Sequence, residues 1–312
     1  GQNPTASLKD RASALIVARA CQQNIDIVTT ASTGNAAAAL AGVAASVAMH
    51  TLIFVPANAP EAKIAQLLVY GATVLLVDGT YDQAFDLCLA VSEAEGWYCR
   101  NTGVNPYTSE GKKTVAFEIA EQMDWNPPDV MVVSVGDGNI IASVYKGFYD
   151  LQQLGWIERI PRLIGVQSSG SAPLVDAWHL NISAADMRPV EAHSIADSIV
   201  AGLPRDRTRA LRAVRDSGGA FVAVPDDAIL AAIPQFARLT GVFAEPASAA
   251  SWVGAQYARE QGFIHPDDRV LILSTGSGLK DVARARQSVN ETGIRVQPTI
   301  ESVRAVLRLD NK

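Results

Sequence analysis

IDIVTTASTGNAAAALAGVAASVAMHTLIFVP, residues 25–56, decides the fold of this 312-residue chain. Its opening, Ile25–Thr30, is short, apolar and β-branched, and reads as a buried strand. Asn35–Met49 is rich in alanine and reads as a helix, with Gly34 permitting a tight entry. Thr51–Val55 is a second strand, stopped by Pro56. No charged residue occurs from Ile27 to Pro60, but Ser32, Thr33, Asn35, Ser46, His50, Thr51 and Pro56 interrupt the run. A buried helix followed by a buried strand fits this pattern better than a membrane span.

The alternation continues outward. Pro60–Tyr70 reads as a helix ending at Gly71, Thr73–Val77 as a strand, Tyr81–Glu95 as a helix ending at Gly96, and Trp97–Arg100 as a closing strand. Further on, helices are expected at Lys113–Met123, Ile140–Leu154, Asp226–Leu239 and Pro246–Glu260. Strands are expected at Val130–Val135, Arg162–Val166, Ala220–Val224 and Arg269–Ser274. Residues 168–218, rich in Ser, Asp, Arg and Gly, give no clear period. Strands separated by helices of ten or more residues imply parallel βαβ units. The expected fold class is α/β, with two lobes, each a mostly parallel sheet flanked by helices. Residues 24–102 would form the smaller domain, inserted between 1–23 and 103–312, which would form the larger. In such folds ligands bind beyond the carboxyl ends of the strands, where strand order reverses.

Composition narrows the function. With 48% hydrophobic and 19% charged residues the chain can bury a core and is not disordered. A net charge of −6 argues against a nucleic-acid or membrane-surface binder. Cys21, Cys88 and Cys99 form no CxxC pair and read as reduced thiols, which points to a cytoplasmic protein. His50, His179, His193 and His265 have no metal-ligand spacing, so no metal is expected.

Four loops could carry chemistry. Asn3-Pro4-Thr5-Ala6-Ser7-Leu8-Lys9-Asp10-Arg11 places a lysine at a helix start, either as an amine that condenses with a carbonyl cofactor or as an ordinary surface residue. Thr30-Ala31-Ser32-Thr33-Gly34-Asn35 could hold a carboxylate on hydroxyls and free N–H groups, or simply cap a helix. Ser134-Val135-Gly136-Asp137-Gly138-Asn139 lets the backbone approach an anion at a helix N-terminus. It lacks the third glycine of a dinucleotide fingerprint and the lysine of a P-loop, so NAD and ATP are disfavoured. Ser274-Thr275-Gly276-Ser277-Gly278-Leu279-Lys280-Asp281 follows another buried strand.

In this order the four loops resemble fold-type II pyridoxal-phosphate enzymes of the tryptophan synthase β-like fold, and among them the threonine synthases. Asn105-Pro106-Tyr107, Glu110-Gly111-Lys112-Lys113-Thr114 and Glu245-Pro246-Ala247-Ser248-Ala249-Ala250 extend the resemblance over essentially the whole chain. It implies pyridoxal 5'-phosphate as cofactor and a small amino-acid substrate, with O-phosphohomoserine converted to threonine and phosphate. Serine/threonine dehydratases and β-replacement synthases share the fold and the Ser-x-Gly-Asn turn, and a relative that has lost turnover is a third reading. A homodimer is expected, since relatives are usually homodimers.

By this resemblance Lys9 is the Schiff-base lysine, Asn35 meets the cofactor's ring hydroxyl, and Gly136, Asp137, Gly138, Asn139 and Ile140 cradle its phosphate. Thr275 faces the pyridine nitrogen, Ser32 and Thr33 grip the substrate carboxylate, and Asn101 and Thr102 match polar residues of the substrate site. There are departures. Ala6 and Leu8 stand where the family commonly has Gly and Phe, and Ala36 replaces a common threonine. Asp137 would repel a phosphate and is expected to point away. Thr108 and Ser109 stand where phosphohomoserine-using relatives place an arginine; Lys112 or Arg205 could substitute. The family also carries a few dozen residues ahead of the lysine loop, including Glu-Gly-x-Thr-Pro-Leu, whereas eight residues precede Lys9 here.

Overall fold

The structure, a computed structural model, describes residues 1–59, 61–289 and 293–307. In chain order it runs α1 (Lys9–Gln22), β1 (Ile27–Ala31), α2 (Asn35–Ala45), β2 (His50–Pro56), α3 (Glu61–Val69), β3 (Thr73–Val77), α4 (Tyr81–Glu95), β4 (Tyr98–Cys99) and α5 (Tyr107–Gln122). There follow β5 (Val130–Ser134), α6 (Asn139–Gln153), β6 (Arg162–Ser168), α7 (Pro173–His179), α8 (Arg207–Asp216) and β7 (Ala220–Val224). The described chain ends with α9 (Asp226–Thr240), α10 (Pro246–Glu260), β8 (Val270–Ile272), α11 (Val282–Ser288) and α12 (Ile300–Leu307). Short 3₁₀ turns sit at Asp197–Ile199 and Gly278–Asp281.

The strands form two parallel four-stranded sheets, ordered β3-β2-β1-β4 and β7-β6-β5-β8. Each order has one reversal, between β1 and β4 and between β5 and β8. The loops after those four strands are therefore where a ligand cleft is expected.

Alternation explains why β5 lies at the centre. Met131 and Val133 pack into a core with Ile141, Val144 and Phe148 of α6 and Leu211 of α8. Val130 and Val132 face the opposite way, onto Ile229 and Ile233 of α9 and Val253 of α10. A strand buried on both faces has to be apolar throughout, which is the character of Val130-Met131-Val132-Val133. Each such side chain contributes about 1.5–3 kcal/mol by leaving water. In the β3-β2-β1-β4 sheet Ile53 and Val55 pack on Ala37, Ala38 and Ala41 of α2, while Phe54 turns to Phe85 and Cys88 of α4.

Helix α1 joins both lobes. Ile16, Val17 and Ala20 pack on Val28, Leu40 and Ala44. Its other side meets α5, where a Cβ on Gly111 would stand 2.2 Å from the Arg11 carbonyl oxygen, so only glycine permits this approach.

Three expectations are corrected. The helix expected at Lys113–Met123 begins six residues earlier, at Tyr107, and so takes in Glu110, Gly111 and Lys112. Asn105 starts it by accepting the Tyr107 N–H at 3.0 Å, with Pro106 pre-set in helical conformation. Helix α2 stops at Ala45 rather than Met49, because Ala48 turns left-handed at φ 54°. Residues 168–218 hold α7 and α8, which are too short to show a clear period. The expected helix start at Pro60 lies outside the described residues. Among the described residues, no helix is long and apolar enough to cross a membrane.

Candidate active site

Lys9 is the first residue of α1, and the loop before it is locked from both sides. Asp10 is buried and accepts the Thr5 N–H at 2.7 Å and the Thr5 hydroxyl. The Leu8 N–H donates to the Thr275 carbonyl at 2.8 Å, and the Ser277 N–H donates to the Ala6 carbonyl at 3.0 Å. Ser7 and Gly276 thus form an antiparallel bridge that sets Lys9 beside the Thr275 loop. The turn requires Ala6 at φ 64°, which explains the glycine common there in relatives. Burial lowers the proton affinity of Lys9; the nearby Glu245 carboxylate opposes that effect.

The Thr275 loop meets α10 at its start. Ser248 accepts the N–H groups of Thr275 and Gly276 at 2.9 and 2.8 Å, and its hydroxyl lies 3.2 Å from that of Thr275. Glu245 is buried, and its proton affinity is raised by that burial. Both its oxygens accept from the Asn35 amide nitrogen at 3.0 Å, joining α2 to α10 across the cleft.

On the smaller lobe, Ser32 accepts the Gly34 N–H at 3.1 Å, and no side chain caps α2. The first N–H groups of that helix are therefore open to an anion. Asn101 accepts from the Thr30 hydroxyl at 3.0 Å and the Ala31 N–H at 2.8 Å, which fixes the turn after β4 against the end of β1. Its own amide nitrogen has no partner. Arg100, the residue before it, is also fully buried; its Nη1 lies 3.5 Å from the Thr102 hydroxyl, while Nε and Nη2 have no partner.

The glycine loop enters α6, again without a side-chain cap. Gly138 has φ 88°, and a Cβ there would stand 2.6 Å from that of Ala210. Asn139 turns its side chain aside, accepting from the buried Lys112 amine and donating to Ser109 at 2.9 Å and to Asp206. Its backbone stays at the helix start. Burial pushes Lys112 well below the ordinary lysine range. Asp137 lines the cleft wall, with its Oδ1 accepting the Arg205 N–H at 3.1 Å. Burial raises its proton affinity, which reduces the repulsion an anion would meet.

These residues enclose two joined spaces. A cavity of about 60 Å³ is lined by Lys9, Lys112, Gly136–Ile141 and Thr275. A larger one of about 720 Å³ is lined by Lys9, Ser32–Asn35, Arg100, Thr102 and Asp137. The second lies within the range usual for small-molecule and cofactor sites. Lys9, Ser32, Thr33, Asn35, Thr102, Gly136, Asp137, Gly138, Asn139, Ile140 and Thr275 all line one or both. Asn101 lies behind the wall and braces it.

The donor set fits pyridoxal phosphate. A desolvated amine stands at the floor, and an uncapped helix start with a buried lysine behind it suits a phosphate. Thr108 and Ser109 cannot clamp a substrate: Thr108 donates to the Asn105 carbonyl at 2.7 Å, and Ser109 is held by Asn139 and Arg209. Arg100 and the carboxylate of Glu245 were not singled out by sequence. The usable signal for Arg100 was a charge at the carboxyl end of a strand, beside a reversal of strand order. Among the described residues, no group of three or more His, Cys, Asp or Glu could hold a metal.

Comparison with known proteins agrees with this geometry. Residues 1–276 match the family described as pyridoxal-phosphate dependent enzyme. A threonine synthase of Methanocaldococcus jannaschii is 36% identical over 310 residues, covering 99% of this chain and 76% of that one. A threonine synthase of Methanosarcina acetivorans is 38% identical over 309 residues, covering 98% and 75%. Among solved structures, the processed form of threonine deaminase isoform 2 from Solanum lycopersicum superposes with a TM-score of 0.76 at 23% identity, covering 92% of this chain and 75% of that one, a likeness of fold.

Proposed function

The chain belongs to the pyridoxal-phosphate dependent enzyme family, and we propose that it acts as the threonine synthases do: a carbon–oxygen lyase that converts O-phospho-L-homoserine and water to threonine and phosphate. The observation that carries this reading is identity of 36–38% with threonine synthases over nearly the whole chain.

The cofactor, when bound, supplies an electron sink for the amino-acid substrate. The chain's own residues do the rest. Lys9 would hold the cofactor through Nζ and would accept and return protons at that atom, and burial keeps more of its amine neutral than in water. The backbone of Gly136–Ile140 at the start of α6, with Lys112 behind it, binds the cofactor phosphate. Thr275 would offer a neutral hydroxyl to the cofactor ring, and Asn35 would hold the ring from the other side of the cleft. Ser32, Thr33 and the open start of α2 take the substrate carboxylate, while Asn101 and Thr102 shape the pocket for its side chain.

In this reading residues 24–102 form a smaller domain inserted into a larger one of 1–23 and 103–312, of which residues 60, 290–292 and 308–312 lie outside the described ones. The protein works as a cytoplasmic homodimer, in keeping with three free thiols. Purified holoenzyme given O-phospho-L-homoserine should yield threonine and inorganic phosphate in equal amounts. Release of a 2-keto acid from serine or threonine, with no threonine from the phosphorylated substrate, would instead make it a dehydratase.

A further inference from the structure

Among the described residues, Arg100 and Lys112 are the two cations buried to 1–2% exposure. Lys112 has a partner in Asn139. Arg100 has none at good distance: Nη1 is 3.5 Å from the Thr102 hydroxyl, Nε and Nη2 are unpaired, and no described carboxylate lies within ion-pair distance. Apart from Lys9, the other cations on the same cleft wall are committed. Lys63 pairs with Asp197, and Arg205 pairs with Asp82 at 2.9 Å while lying over the Phe85 ring. A guanidinium cut off from water without a counter-charge is costly. The cost is visible in its proton affinity, lowered to about 10 by burial.

Position adds to this. Arg100 follows β4 directly, at the reversal of strand order beside β1. It lines the same 720 Å³ space as Lys9, Ser32–Asn35 and Thr102. The carboxylates on that wall are taken: Asp82 and Asp137 accept from Arg205, and Asp197 pairs with Lys63. At the start of α5, Thr108 and Ser109 spend their hydroxyls on the Asn105 carbonyl and on Asn139.

We propose that Arg100 is the residue that binds the phosphate at the end of the substrate's side chain, a specificity determinant supplied from β4 rather than from the start of α5. The inference rests on the threonine-synthase reading for the identity of the substrate. A planar fork of N–H donors suits two oxygens of a phosphate monoester, and the ligand completes the charge that the fold leaves open. Serine or threonine offers no such charge and leaves the guanidinium unpaired, so the same residue discriminates against them.

The test uses holoenzyme of the wild type, Arg100→Gln and Arg100→Lys. Two probes are titrated by the change in cofactor absorbance: 2-amino-5-phosphonopentanoate, and L-norvaline, which has the same carbon chain without the phosphonate. Arg100→Gln should weaken the phosphonate about tenfold or more and leave norvaline unchanged, with Arg100→Lys in between. The KM for O-phospho-L-homoserine should rise in parallel. Equal losses for both probes, or none for the phosphonate, would overturn the assignment. If wild-type enzyme makes no threonine yet the phosphonate alone depends on Arg100, the anion site stands and the substrate reading falls. If threonine is made with an unchanged KM in Arg100→Gln, the reverse holds. Should Arg100→Gln not fold, the phosphonate-to-norvaline ratio in Arg100→Lys decides in the same sense.

Discussion

Asn35 and Glu245 lie 210 residues apart in sequence and face each other across the cleft, with the Asn35 amide nitrogen 3.0 Å from both carboxylate oxygens. The Glu245 charge raises the proton affinity of Lys9, opposing the larger effect of burial. Glu245→Gln removes the opposing effect and leaves burial and Arg100 to lower it further. The pH at which the Lys9 amine begins to react with pyridoxal phosphate in apo protein should therefore move to lower values. Rates of cofactor uptake measured across pH would show it; an unchanged or upward-shifted profile would contradict the placement of the charge.

Lys9→Ala should lose the absorbance of lysine-bound cofactor and leave nothing to reduce with borohydride at that position. Turnover should fall about 10²–10⁴-fold, the usual worth of a positioned proton-transfer group. Mass spectrometry of the reduced protein distinguishes Lys9 from Lys112 as the site of attachment.

Ala6→Gly should stabilise the fold. A left-handed alanine costs roughly 1–2 kcal/mol, and the extra chain freedom of glycine returns about 0.5–1 of it. A net gain of ~0.5–1 kcal/mol should appear as a higher denaturant midpoint with an unchanged slope.

Gly138→Ala should do the opposite. Its φ of 88° disfavours any side chain, and the new Cβ would press on Ala210. A loss of about 1–3 kcal/mol is expected, together with weaker uptake of cofactor, because the shift displaces the N–H groups at the start of α6. Titrating apo protein with pyridoxal phosphate separates the two effects.

Much of this was legible in the sequence because its signals are local. The strand at Thr73–Val77 and the helices at Tyr81–Glu95 and Pro246–Glu260 fall where their glycines, prolines and periodicity put them. Lys9, Asn35 and Thr275 stood out only through the resemblance that four loops carry together, since each loop alone also reads as an ordinary cap or surface turn. Other features depend on distant neighbours. No local pattern says that Asn139 will spend its side chain on Lys112, Ser109 and Asp206, or that Arg100 will be sealed from water. The start of α5 at Tyr107 was missed although Asn105 and Pro106 are good residues to begin a helix.

The bridge between Ser7 and Gly276 has a bearing on biosynthesis. The reactive amine of Lys9 emerges from the ribosome 275 − 9 = 266 residues ahead of the hydroxyl loop that fixes it. A nascent chain can complete the β3-β2-β1-β4 sheet well before this, but the amine has no fixed orientation until the closing strand is made. Vitamin capture is therefore a late, whole-chain event, and a polypeptide cut short before Thr275 should fold in part and remain colourless.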